Sequence, residues 1–264
     1  MSEIPFDLVK YDINISHNVK IDSYIEIGNH VEIGDCVNID NGVKINDGVE
    51  IGNHVKIGKY AEIGNDTYIG YDVKIRNNVK IGNCVEIGND VKISEYVKID
   101  YDVEIGYGVK IGDSTNIGYS VEIGDCVNIG SCVKINYNVS IRDNVSIDYG
   151  VKIGDYTKIG YNVKIGGNVN ISDYVRIHDY VKINDYVIIP YFTKIQHPIR
   201  INSDTLLTFL NKGSELRTLT AYNYNNEIII TTGCFVGTLE EFTKAVEKNM
   251  DITILLKNTL SVLK

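Results

Sequence analysis

Ile27-Gly28-Asn29-His30-Val31-Glu32, followed at once by Ile33-Gly34-Asp35-Cys36-Val37-Asn38, lays out a six-residue unit. The unit reads aliphatic, small or turn-forming, polar, any residue, valine-like, polar or charged. It recurs in phase from Ile13 to Ile201 with no insertion or deletion, and Ile105-Gly106-Tyr107-Gly108-Val109-Lys110 is a copy far along the chain. One unit is too small to bury its own apolar pair, so the copies must stack on one another. A rod without interrupting loops also has few places to build a pocket.

Inside the unit, Val31-Glu32-Ile33 alternates in, out, in, which is a very short strand. The next three residues are drawn from Gly, Asn, Asp and Tyr, which is turn chemistry. Glycine follows the isoleucine in half the copies, as at Gly34, Gly52, Gly70 and Gly88, where a left-handed or tight corner favours it. Strand and corner in alternation wind the chain into a flat-sided coil with Val and Ile inside. A helix does not fit, because six residues advance it by about 600° and the apolar pairs would wander around its surface. Two β-branched residues per unit also favour strand.

Ile-Gly-x-x-Val-x resembles the repeat of the hexapeptide, left-handed parallel β-helix superfamily over residues 13–201. The resemblance implies three hexads per triangular coil, hence about ten to eleven coils of about 4.8 Å each. Handedness comes from the resemblance, since crossover physics alone favours the right hand. The expected fold class is mainly β: a left-handed parallel β-helix with a small α+β C-terminal domain. The expected boundaries are an N-terminal cap at 1–12, the β-helix at 13–202 and the C-terminal domain at 203–264.

The 264 residues carry a net charge of −9, with no Trp and three Pro. An acidic balance argues against a general nucleic-acid binder. The N-terminus has no basic and apolar leader pattern, and no apolar run is long enough to span a bilayer. The expectation is therefore a cytoplasmic protein, in a bacterial host cell. Five cysteines (Cys36, Cys84, Cys126, Cys132 and Cys234) show no CxxC spacing and read as reduced, small corner residues.

With eighteen residues per coil, the outward strand residues sort into three columns. One holds Glu32, Glu50, Tyr68, Glu86, Glu104 and Glu122, then Ser140, Lys158, Arg176 and Lys194. A second is basic, with Lys56, Lys74, Lys92 and Lys110 in succession, and the third mixes signs. Like charges one coil apart repel by about 1 kcal/mol per pair in water before screening. Such columns read as solvated faces, as self-association surfaces, or as a docking row for an anionic partner. Antiparallel pairing of the first face with itself would set Glu122 against Lys158 and Glu104 against Arg176. Tyr101, Tyr119 and Tyr137 form one aromatic column, and Tyr156, Tyr174 and Phe192 another, as ladders that stabilise a solenoid.

Beyond the repeat, Ser203–Asn211 reads as a short helix, Glu215–Tyr222 and Glu227–Thr232 as a hairpin about Asn223-Tyr224-Asn225-Asn226, and Thr238-Leu239-Glu240-Glu241 as a capping box opening a helix to about Asn249. Ile252–Leu263 is strand or helix. The segment is expected to pack near Tyr186, Ile188, Tyr191 and Phe192 and to block the open strand edge. Residues 214–249, around Thr231-Thr232-Gly233-Cys234-Phe235, resemble a small domain of bacteriophage and prophage proteins, which implies a phage setting.

Many members of the hexapeptide superfamily are acyltransferases, and these resemble one another in using a catalytic His and a protruding loop. This chain has no such loop, and His17, His30, His54, His178 and His197 are scattered over corners. The leading expectation is thus a non-catalytic, phage-type accessory protein with no metal or cofactor. It would present the faces of Lys56, Lys74, Lys92, Lys110, Glu32, Glu50, Glu86, Glu104 and Glu122 to another copy, a host protein or an anionic ligand, and inhibit a host defence. The alternatives are a purely structural homo-oligomeric phage component and an acyltransferase-fold enzyme.

Overall fold

The computed structural model describes residues 12–202, 206–212, 217–225, 227–232 and 235–246. Each hexad contributes one two-residue strand, from β1 (Asn14–Ile15) to β32 (Arg200–Ile201). Every strand pairs in parallel with the strand eighteen residues on, as in Glu86↔Glu104 and Ile87↔Ile105. Three parallel sheets result, of 11, 11 and 10 strands, each holding every third strand. The first sheet carries the glutamate column, the second the lysine column and the third the mixed column. The eighteen-residue coil that the family resemblance implies is thereby the coil observed.

Val and Ile of each unit fill the axis, with Val31, Val55, Val85 and Val109 all at 0 % exposure. At three of the sites where Thr replaces Val, its hydroxyl donates to a carbonyl of the next coil: Thr67 Oγ1 to Gly82 O at 3.1 Å, Thr115 Oγ1 to Gly130 O at 3.0 Å and Thr157 Oγ1 to Ser172 O at 3.2 Å, whereas Thr193 Oγ1 donates to Pro190 O at 2.7 Å. The buried hydroxyl is satisfied, so Thr tolerates a site built for Val.

The left-handed corner is not where the glycines pointed. Positive φ falls on every sixth residue from Asp12 to Phe192, two places after the slot of Gly34 and Gly52. Asn, Asp, Tyr, Phe, Cys, Ser, His and Gly occupy it, and no β-branched residue does, as that conformation requires. Cys36, Cys84, Cys126 and Cys132 all sit there. Glycine after isoleucine answers a different need. A Cβ on Gly88 would lie 2.8 Å from the Gly106 carbonyl carbon and 3.0 Å from Ile105 O, both backbone of the next coil. A second tie between coils runs through the corner Asn and Asp side chains, which accept backbone N–H groups of the coil before. Asn29 N–H donates to Asp47 Oδ1 at 2.7 Å and Tyr107 N–H to Asp125 Oδ1 at 2.7 Å. Many corner acids are therefore bracing for the backbone as well as charges.

The C-terminal part is an antiparallel sheet of β33 (Leu206–Lys212), β34 (Arg217–Tyr224), β35 (Glu227–Thr232) and β36 (Phe235–Thr238), followed by α1 (Leu239–Val246). The expected helix at Ser203–Asn211 is instead the strand β33, paired Leu207↔Ala221 and Phe209↔Leu219. A short helix has too few internal bonds to compete with an adjacent strand that offers a full ladder. The capping box is present: Glu241 N–H donates to Thr238 Oγ1 at 3.2 Å, and Thr238 N–H to Glu241 Oε2 at 2.8 Å. Residues 1–11 of the cap expected at 1–12, Cys234 and Ile252–Leu263 lie outside the described residues.

This sheet docks on the last coil, as expected, but not through the cluster that was named. Tyr222 (0 % exposed) and Ile229 join the solenoid core. Gln196 N–H donates to the Tyr222 hydroxyl at 3.2 Å, and Thr231 Oγ1 donates to Lys194 O at 3.1 Å. Ile188 stays 66 % exposed and Tyr186 74 %. The docking point is the edge of the first sheet, whose last strand and the residue after it take the hydrogen bonds at Lys194 O and Gln196 N–H, whereas Ile188 faces outward from the third.

Candidate functional site

The aromatic columns join. Tyr101, Tyr119 and Tyr137 stack at 5.1 and 4.9 Å, Tyr137 meets Tyr156 edge-on at 5.3 Å, and Tyr156, Tyr174 and Phe192 continue at 5.0 Å. The two columns occupy adjacent positions of one corner, so a single six-ring ladder climbs the rod. Most ring faces are covered by the next ring, which leaves edges for a ligand and speaks for a structural role.

At the step in this ladder the Asp155 carboxylate hydrogen-bonds the Tyr137 phenol. That bond, then desolvation, then the carboxylate charge push the Tyr137 pKa up to about 12. The folded state favours the protonated phenol. Its contribution is complete below the ordinary tyrosine value of about 10 and is lost as pH rises through about 12. Phenolate absorbance during alkaline titration is expected to show this late tyrosine, and Asp155→Asn to return it toward the others.

The predicted charge columns lie as read but do not converge. Glu32, Glu50, Glu86, Glu104 and Glu122 point out of the first sheet, with Tyr68 between Glu50 and Glu86. Lys56, Lys74, Lys92 and Lys110 point out of the second. On the third face opposite signs bond vertically, Lys80 Nζ to Glu62 Oε1 at 2.9 Å and Lys44 Nζ to Glu26 Oε2 at 3.4 Å. A groove of about 660 Å³ over the second sheet is lined by Lys20, Lys56 and Arg76, but also by Asp22, Asp40 and Glu95. The carboxylates at its rim offset the lysine row.

A larger groove, about 810 Å³, lies over the upper half of the first sheet, where that column has changed sign. Arg142, Lys158, Arg176, His178 and Lys194 line it, with Glu122 and Asp179 as the carboxylates. Asp179 is engaged elsewhere, since its Oδ1 accepts Tyr161 N–H at 2.9 Å. Arg142 is held in place: its Nη1 donates to Tyr161 Oη at 2.9 Å, and its guanidinium lies 5.3 Å from the centre of that ring. A fixed guanidinium beside further cations is suited to phosphate or carboxylate groups.

Arg142 and His178 escaped the sequence reading, which followed only the outward strand residues. The signal was in the neighbouring column. Gly34, Gly52, Gly70, Gly88, Gly106 and Gly124 form an unbroken run beside the glutamates, and Arg142 and His178 interrupt it on either side of Gly160. Side chains then stand where the lower coils have none.

The other histidines have local duties. His197 Nδ1 is 2.9 Å from Tyr222 Oη, and its ring stacks on Tyr224 at 4.5 Å. His30 Nδ1 is 3.1 Å from Asp12 Oδ2, and His17 Nδ1 is 3.5 Å from Asp35 Oδ1. These carboxylate partners, absent at diagnostic sequence spacing, stand one coil away. All four side chains are exposed, and His54 stands exposed on the corner of His17, where its backbone N–H donates to Asp35 O at 2.8 Å.

The family described as bacterial transferase hexapeptide (six repeats) matches residues 30–65 and 60–94, and the GMPPB C-terminal domain family matches residues 93–199. No curated protein sequence is significantly similar to the chain. Among solved structures it is similar to the UDP-N-acetylglucosamine acyltransferase of Bacteroides fragilis, at 21% identity over 78% of this chain and 74% of that one, with a TM-score of 0.42. It is also similar to the corresponding enzymes of Moraxella catarrhalis (21%, 65% and 65%, TM-score 0.29) and Francisella novicida (18%, 61% and 65%, TM-score 0.35). The aligned region thus spans 65% of the length of each of these last two.

The expectation of a non-catalytic protein is corrected by the transferase family match: an uninterrupted register was weak ground for excluding chemistry, because the groove needs no protruding loop. The phage setting, host partner and defence role find no support in these comparisons. Among the described residues no helix is long and apolar enough to cross a membrane. The eighteen-residue register, the Val and Ile axis and the family matches that run from residue 30 to residue 199 place the chain in the hexapeptide-repeat, left-handed parallel β-helix superfamily.

Proposed function

We propose that the chain is an acyl-transferring enzyme of the hexapeptide class that takes an anionic substrate in the basic groove of the first sheet. The observation that carries this reading is the grouping of Arg142, Lys158, Arg176 and His178 where the glycine run is interrupted. Arg142, Lys158 and Arg176 hold phosphate or carboxylate groups. His178, at the groove edge, accepts the proton of an attacking hydroxyl or amine. The new bond forms to the acyl carbonyl carbon, the thioester C–S bond breaks, and the thiol leaves with a proton. The transferase description of the matching family supports the reaction class.

Acetyl-CoA supplies both a thioester and phosphates and is the probe. Calorimetric titration is expected to show binding that weakens as salt rises, with Arg176→Glu reducing affinity at least about tenfold. His178→Ala is expected to leave binding within about twofold, while thiol release to added amine or alcohol acceptors falls by about 10²–10⁴. Absence of acetyl-CoA binding by the wild-type protein would discard the reading.

A further inference from the structure

We infer that the third sheet carries a binding site for an acidic saccharide, in the groove between its lysine column and the tyrosine ladder. Midway up that sheet the outward column reads Lys80, Lys98, Asn116, Lys134, Lys152, each in register with the next. Lys80 bonds Glu62 below it at 2.9 Å, but Lys98 stands on Lys80 and Lys134 under Lys152, cation against cation. Asn116 separates the two pairs, at a place where a glutamate would have served both. An anionic group at the height of Asn116 lies one coil, about 4.8 Å, from Lys98 and from Lys134, and relieves the repulsion in both directions.

Beside Asn116 opens a groove of about 370 Å³, at the small end of ligand-sized clefts. Gly118 makes it. In the adjoining column Asp100 lies one coil below and Asn136 one coil above, so the glycine leaves a notch between two polar side chains. The outer wall is the ladder, with Tyr119 and Tyr137 stacked at 4.9 Å and presenting ring edges. Asp155 closes the upper corner. Its carboxylate takes the Tyr137 phenol, yet its Oδ1 is buried and has no hydrogen-bond partner among the described residues. A buried carboxylate oxygen of this kind calls for an O–H or N–H donor.

Two requirements together select the ligand. The lysines need an anion, whereas Asp100 and Asp155 repel one and accept hydrogen bonds. Inorganic phosphate or sulfate meets the first requirement and is opposed by the second. A polynucleotide finds most ring faces of the ladder already covered, so its bases have nowhere to stack. A sugar acid meets both requirements. Its carboxylate sits between Lys98 and Lys134, and its hydroxyls reach Asp155 and the amides of Asn116 and Asn136, which donate as well as accept. This site lies on a different sheet from the basic groove and does not rest on the transferase reading, so either can fail alone.

Titration calorimetry and saturation-transfer NMR of the full chain with trigalacturonate test it. Expected is transfer from tyrosine ring protons to the sugar C–H groups, with binding that weakens as salt rises. Lys98→Gln with Lys134→Gln is expected to weaken binding at least about tenfold, and Lys98→Arg with Lys134→Arg to keep it within about threefold. Neutral maltotriose is expected to bind at least about tenfold more weakly than the acid. Asp155→Ala is the sharpest variant. Charge alone would make it bind the acid more tightly, but loss of the acceptor is expected to weaken binding at least about fivefold. Unchanged circular dichroism shows that each variant is folded. No binding by the wild-type protein, unchanged binding by the glutamine pair, or tighter binding by Asp155→Ala would overturn the inference. So would displacement of the trisaccharide by inorganic phosphate at equal concentration. Loss of binding in Arg176→Glu would overturn it too, by placing the saccharide in the groove of the first sheet.

Discussion

Val109→Asp is expected to destabilise the solenoid by about 4 kcal/mol or more, among the largest effects of any single change in this chain. Val109 is 0 % exposed on the axis. Its equivalents one coil away, Val91 and Val127, are also fully buried, so a carboxylate there has neither water nor a cation. Lys92 and Lys110 point outward and cannot reach it. Val109→Thr provides the contrast. Thr115, the next residue of the same slot, gives its hydroxyl to Gly130 O at 3.0 Å, fifteen residues on. A threonine at 109 has the equivalent Gly124 carbonyl available, so the expected cost is under about 1.5 kcal/mol. Urea unfolding measures both. Hydrogen exchange should show the aspartate loosening the flanking coils first, because each coil contacts only its neighbours. Equal stabilities for the two variants would contradict this account of the axis.

Tyr222→Ala should cost about 3–5 kcal/mol and release the C-terminal sheet from the rod. Tyr222 is fully buried in the solenoid core, and its hydroxyl receives Gln196 N–H and sits 2.9 Å from His197 Nδ1. Burial also raises its pKa, consistent with a phenol that stays protonated. Losing the ring empties a cavity and leaves the last coil with an open parallel edge, which templates pairing with other chains. Light scattering on warming should therefore show end-to-end association that the parent protein resists. Tyr222→Phe retains the ring and is expected to lose only about 1–2 kcal/mol, the cost of one unsatisfied partner.

Some of this could be read before folding was considered. The unit Ile-Gly-x-x-Val-x resembles a family whose coils hold three hexads, and that resemblance implied the eighteen-residue coil and with it the columns of Glu32 to Glu122 and Lys56 to Lys110, because a register without insertions turns sequence distance into height. Thr238-Leu239-Glu240-Glu241 opened α1 as expected, since a capping box is local. Other features were misread for physical reasons. The glycine slot was offered as a left-handed or tight corner, and it is the tight one. Its constraint, the backbone of the coil above, lies about eighteen residues away. Leu206–Lys212 became a strand because a neighbouring strand overrode its local preference. The groove residues Arg142 and His178 were overlooked because they are unremarkable in their own hexads and informative only against a column of glycines.

The sequence alone was enough to determine the repeat and the inward Val and Ile, since both follow from a strict period, while the number of residues per coil, and with it the sign of each face, was what the resemblance to the hexapeptide superfamily implied. Three matters waited for the tertiary structure. They are the union of two tyrosine columns into one ladder, the docking of Tyr222 on the last coil, and the grouping of Arg142, Lys158, Arg176 and His178 around one groove. Each depends on side chains from different coils, or from beyond the repeat, meeting at a distance that no local pattern encodes.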